Sequence, residues 1–183
     1  EPRALPVTTT TTSTPTTEPR GDQETEIYMV KNNALVPITR RLPAATTREV
    51  MNSLLIPPTG GEGQGLSSSI PASTRLLEIN GPNNGLLEID LSSDFEDVQA
   101  EARVLALGQI AMSQTLLPGV EQIRFSVDGE PLSIFSPKRG DVKVVGACDY
   151  YGNLANPTAE DVDVTMQQAL ALTRRREALN QRC

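Results

Sequence analysis

A chain of 183 residues with a formal net charge of −7 and no histidine lacks the means for several kinds of chemistry. It has no imidazole base, no Ser-His-Asp triad and no histidine metal ligand, and its acidity argues against electrostatic capture of nucleic acid. Three Phe, three Tyr and no Trp imply an aliphatic core, with little aromatic surface for stacking on sugars or bases.

Residues 1–25 are a different material from the rest. Thr8–Thr12 is an unbroken threonine run, followed by Ser13-Thr14-Pro15-Thr16-Thr17-Glu18-Pro19. A segment with so little to bury cannot offset its ordering entropy, so a disordered Thr/Pro-rich tether is expected. Stalks of this composition favour an extracytoplasmic address. The start Glu1-Pro2-Arg3 reads as a processed or trimmed form, and membrane attachment is expected only through an N-terminal signal or lipid anchor outside the chain. No apolar run is long enough to cross a bilayer.

The folded part begins with two short strands, Ile27–Val30 and Leu35–Leu42, around the turn Lys31-Asn32-Asn33. Thr46-Thr47-Arg48-Glu49 has capping-box spacing and opens a helix whose Val50, Met51, Leu54 and Leu55 share one face, stopped by Pro57-Pro58. Gly65-Leu66-Ser67-Ser68-Ser69-Ile70-Pro71 leads into a second hairpin, Arg75–Asn80 and Leu86–Leu91, flanking Gly81-Pro82-Asn83-Asn84-Gly85. Leu87, Ile89 and Leu91 alternate with Glu88 and Asp90, and Leu77 and Ile79 alternate with Glu78, so each strand has one apolar face.

Ser92-Ser93-Asp94 precedes a long helix predicted over about Asp97–Leu117. Val104, Leu105, Leu107, Ile110, Ala111, Met112 and Leu116 cover so much of its circumference that it reads as the central buried helix. Val120–Val127 is the clearest strand, turning at Asp128-Gly129, with Leu132–Phe135 as a possible return strand. A final helix is expected over about 159–181, capped by Thr158, with Glu160 and Asp161 in its first turn. Its apolar stripe would be Val162, Met166, Ala169, Leu170 and Thr173, and Arg174-Arg175-Arg176 reads as a solvated end that complements the helix dipole. The order β-β-α-β-β-α-β(β) predicts an α+β fold, a mostly antiparallel sheet with helices packed on one face, plus the C-terminal helix.

Two cysteines, Cys148 and Cys183, suggest a disulfide in an exported protein. Such a bond would pin the last helix to the domain and contribute about 3–4 kcal/mol in the chain-entropy picture. Catalytic signals are thin. Glu88, Asp90, Asp94, Glu96 and Asp97 form the best carboxylate group, but their positions are strand-face, cap and first-turn. Gly60-Gly61-Glu62-Gly63-Gln64-Gly65 lacks the Gly-Lys-Ser/Thr of a phosphate loop and reads as a flexible loop. No catalytic, cofactor-binding or metal-ligating residue is assigned, and no cofactor is expected.

Five stretches carry a family resemblance: Leu35–Pro43, Leu54–Pro58, Gly65–Pro71, Ile89–Phe95 and Leu117–Gly129. In this order the run from Ile27 to about Leu132 resembles the GerMN domain of bacterial sporulation and spore germination proteins. The domain plan is then tether 1–25, GerMN-like domain 26–135 and C-terminal extension 136–183. The resemblance implies an exported envelope protein, often a lipoprotein, with no known catalytic site. Its fold is similar to modules that pack side by side in secretion-type rings. The expectation is a non-enzymatic envelope module that binds an envelope protein or itself. The rival is a small-ligand or wall-polymer binding module, or a weak hydrolase using Asp90 and Asp94. An apolar helix face or open sheet edge would favour the first, and converging carboxylates of raised pKa the second.

Overall fold

The computed structural model describes residues 22–98, 100–158 and 163–183. The expected tether lies outside the described residues up to 21, and Gln23–Thr25 are already strand rather than tether. β1 (Gln23–Lys31) and β2 (Ala34–Leu42) form an antiparallel hairpin. Asn32 and Asn33 have φ of 48° and 60°, the paired positive angles of a type I′ turn, whose twist matches that of the strands. Ile27–Val30 and Leu35–Ile38 are buried without alternation, so both faces of the hairpin are covered.

α1 (Thr47–Leu54) begins where the sequence places it, with the Glu49 amide donating to Thr46 Oγ1 at 3.3 Å. The loop after it closes the outer edge of β1. Val30 and Ser67 exchange backbone hydrogen bonds at 2.8 and 2.9 Å, and the Ser69 amide donates to Oε1 of the fully buried Gln109 at 2.7 Å. The serine run Ser67–Ser69 is therefore an edge-sealing strap.

β3 (Leu76–Asn83) and β4 (Leu86–Leu91) make the second hairpin. Its reversal is tighter than expected. Asn84 and Gly85, with φ of 50° and 84°, form the turn alone, so Gly81-Pro82-Asn83 stay within β3 as an irregular stretch. β3 is also wetter than its pattern suggests: Leu77 is 46% exposed because this is an edge strand.

The helix expected over Asp97–Leu117 is shorter. Ser93–Asp97 is a single 3₁₀ turn, and extended backbone at Val98 (φ −80°, ψ 121°) separates it from α2 (Ala100–Gln114). At the far end, Leu116 and Leu117 donate three residues back, tapering the helix into turns. Residues 105–114 are buried without a break, which makes α2 the central helix. α2 packs on β1, and α1 contacts both α2 and β1.

β5 (Gln122–Val127) runs parallel to β4, with α2 as the crossover that a parallel pair requires. Leu87, Ile89 and Leu91 stand beside Ile123, Phe125 and Val127, all buried. Asp128-Gly129 is a third turn with two positive φ angles, leading into the short β6 (Glu130–Pro131). The expected strand Leu132–Phe135 is instead β7 (Ile134–Ser136), which pairs with β8 (Gly140–Val142). The α+β class holds, but its strands form three hydrogen-bonded sets, β1-β2, β3-β4-β5-β6 and β7-β8, and the middle set is mixed.

α3 (Met166–Asn180) differs most from expectation. Its cap is Thr165, which exchanges hydrogen bonds with Gln168 in a capping box, while Thr158 lies in a turn with Asn156. Glu160, Asp161 and Val162 lie outside the described residues. Its inward residues are Ala171, Leu172 and Leu179, with Leu172 and Leu179 joining one core shared by both sides of residue 135. The expected stripe points outward instead: Met166 is 83% and Leu170 61% exposed.

Candidate functional site

The acidic group on β4 and the following turn does not converge. Glu88 pairs with Arg124 on β5 at 2.6 Å. Asp90 accepts the Gly129 amide at 3.0 Å, so it fixes the turn after β5. Asp94 accepts the Ser92 hydroxyl at 2.8 Å, and that hydrogen bond holds its carboxyl below the usual range. Glu96 and Asp97 belong to the 3₁₀ turn. A general acid needs its pKa raised, and the shift at Asp94 has the opposite sense.

The glycine-rich loop anchors the structure through its glutamate. Thr59 and Glu62 cap each other, and Glu62 accepts from Arg40 Nε at 2.5 Å and Nη2 at 3.0 Å. Arg40 also donates to the carbonyls of Ser53 and Ile56, adding a side-chain donor to the acceptors at the end of α1. The Arg40 hydrogen bond leads in holding the Glu62 pKa down.

A third polar cluster lies beyond residue 135. Asp149, almost fully buried, accepts from Ser136 Oγ (2.6 Å), Arg139 Nε (2.7 Å) and the Gly146 amide (2.8 Å). Burial pushes its pKa up, but the hydrogen bonds from Arg139, Ser136 and Gly146 outweigh that and hold it low. Ser136 beside Asp149 has the look of an activated nucleophile, yet its side chain is wholly buried and no substrate can reach it. Sequence reasoning missed this cluster because its members are spread over residues 136–149 with no motif spacing.

α3 is fastened onto the domain by polar groups. Cys148 and Cys183 form a disulfide across 35 residues of sequence, with Cα atoms 5.4 Å apart. Arg175 occupies the inward stripe between Leu172 and Leu179, donating to Thr115 Oγ1 at 2.7 Å and the Met112 carbonyl at 3.5 Å. It therefore complements the negative end of α2's dipole rather than that of its own helix. Burial leads in lowering the Arg175 pKa, and the nearby Arg182 charge adds to the lowering. Arg176 donates to the Leu154 carbonyl at 3.1 Å and lies 4.8 Å above the Tyr151 ring. Of the arginine triplet expected to be solvated, Arg175 and Arg176 are clamps. The arrangement leaves Met166 and Leu170, one turn apart, on an outward face.

No group of three or more His, Cys, Asp or Glu among the described residues is placed to hold a metal ion. No helix among them is long and apolar enough to cross a membrane. What the fold and these clusters define is a small α+β module whose polar residues are used in its scaffold. The family model for sporulation and spore germination proteins (Germane) matches residues 17–133, over half of the chain, and the protein belongs to that family.

Two solved structures share the fold at low identity. The tandem GerMN domains of the sporulation protein GerM from Bacillus subtilis match at 16% identity and a TM-score of 0.55, covering 78% of this chain and 50% of theirs. The first GerMN domain of GerM alone matches at 17% identity and a TM-score of 0.54, covering 67% of this chain and 94% of that domain. The chain thus spans about half the length of the tandem-domain structure. No curated protein matches the sequence.

Proposed function

We propose that this protein is a non-enzymatic, extracytoplasmic module of the bacterial cell envelope, of the sporulation and germination type, acting through protein–protein contact. The residues ahead of β1 serve as its tether, with any membrane attachment through an N-terminal lipid anchor. Residues 23–135 form the GerMN-type domain, and the extension 136–183 presents α3. The partner is an envelope protein or a second copy of the chain.

One observation carries this reading. Met166 and Leu170 expose 83% and 61% of their surface on a helix otherwise fastened down by a disulfide and two arginines. A clamped helix that turns two large apolar side chains to solvent has the character of a contact surface. The scattered engagement of Glu88, Asp90 and Asp94 supports the same reading over a hydrolase.

The test combines sedimentation velocity of the purified protein with crosslinking in the native envelope. The double variant Met166→Glu/Leu170→Glu should abolish concentration-dependent association or the envelope crosslink while the fold, by circular dichroism, is unchanged. Turnover of peptidoglycan fragments that disappears in a folded Asp90→Asn variant would overturn the proposal.

A further inference from the structure

A cleft of about 410 Å³ opens between the end of α3, the α2–β5 connection and the loop bearing Cys148, with Thr115, Glu121, Lys138, Arg139, Arg175 and Arg182 in its wall. Four of these are cationic, on a chain whose net charge is −7. The carboxylates nearby are directed elsewhere. Asp149 takes the Arg139 guanidinium in two hydrogen bonds, at 2.7 and 2.9 Å. Glu121 lies over Gly85, where an added Cβ would meet its Oε2 at 3.0 Å.

Arg175 and Arg182 make no ion pair with a carboxylate among the described residues, and the nearest compensating charge on Arg175 is that of Glu26 on β1, outside the cleft lining. Arg175 spends Nη2 on Thr115 and Met112, and its Nε is buried without an acceptor among those residues. Lys138 Nζ, 3.0 Å from the Cys183 carbonyl, places a third cation at the rim. Like charges gathered around one cleft repel each other, and an anion between them reverses the sign of that interaction. Guanidinium forks match tetrahedral oxyanions, the Thr115 hydroxyl adds a polar wall group, and the volume suits a small ligand.

We propose that this cleft binds a phosphate group carried by a small molecule or a lipid headgroup, with Arg182 and Arg175 as its principal donors and Lys138 at the rim. The site is separate from the exposed Met166–Leu170 face and does not depend on how the module assembles. Cys148 lies in its wall, and its bond to Cys183 helps hold the end of α3 beside the cleft.

The intact, oxidised protein is titrated calorimetrically with inorganic phosphate and with glycerol 3-phosphate, and is sedimented with phosphatidylglycerol or phosphatidylcholine vesicles. Arg182 is exposed, so Arg182→Gln keeps the fold and should weaken phosphate binding about tenfold, the value of one charge-assisted contact. Glu121→Gln, which removes a negative charge from the wall, should strengthen it. Phosphatidylglycerol binding that falls in Arg182→Gln identifies a headgroup as the source, and binding of the soluble phosphates alone identifies a small molecule. No saturable binding in any arm, or equal affinity in wild type and both variants, overturns the proposal.

Discussion

The two ends of this molecule are built on different principles. From β1 to β6 the chain is organised by apolar periodicity and by three tight turns, Asn32-Asn33, Asn84-Gly85 and Asp128-Gly129, each with two positive φ angles. After residue 135 short strands and turns follow one another, and α3 is held by a disulfide, two arginine clamps and a few apolar contacts. The first region spends its polar residues on its own scaffold. Both regions expose large apolar side chains, Ile56 and Leu77 in the first and Met166 and Leu170 in the second, but only the second sets two of them one turn apart on a clamped helix, which is where the proposed contact surface lies.

The largest effect is expected where the first region departs from this rule. Arg40 and Glu62 have side chains only 11% and 20% exposed, and Arg40→Ala would leave the carboxylate with Thr59 alone and remove a donor from the Ser53 and Ile56 carbonyls. A loss of about 3–5 kcal/mol, read as a lower denaturant midpoint, is expected. Cys148→Ser with Cys183→Ser should cost about 3–4 kcal/mol by removing the constraint on the unfolded chain. Gly108→Ala is smaller: its Cβ would lie 2.9 Å from Leu35 and 3.2 Å from Tyr150, across the junction of the two regions. Overpacking there should cost about 1–3 kcal/mol. Asp90→Asn keeps an oxygen for the Gly129 amide and should shift stability by less than about 1 kcal/mol.

Acid should weaken both regions through carboxylates held below their ordinary values. Glu62 in the first and Asp149 in the second release protons more readily when folded, so the unfolded chain binds more protons in the acid range. Their contribution is complete above the unfolded values near about 4 and is lost as pH falls through the folded ones. Replacing Arg139 with Gln should flatten the acid dependence that Asp149 supplies while leaving that of Glu62. Unfolding midpoints measured between neutral and acid pH check this.

Legibility followed the same division. The first two hairpins, the cap of α1 and the burial of α2 rest on local spacing, and the sequence displays them. The parallel pairing of β4 with β5 rests on a contact that crosses α2, and no local period encodes it. α3 misled for a specific reason: its buried stripe runs through Arg175, and a charge in the stripe made Met166 and Leu170 look like the inward face. Only the end of α2, with Thr115 and the Met112 carbonyl, makes that arginine at home there. The disulfide was legible from the count of two cysteines, whereas the Ser136–Arg139–Asp149 cluster carries no spacing signal.

The division between scaffold and contact surface is tested most directly by placing a photo-crosslinking residue at one exposed apolar position in each region. Leu170 on α3 is 61% exposed and Leu77 on the edge strand β3 is 46% exposed, so both are accessible to a neighbour. In the intact protein in its native envelope, crosslinked adducts should form from position 170 and not from position 77. Adducts from position 77 alone would contradict the assignment of recognition to α3.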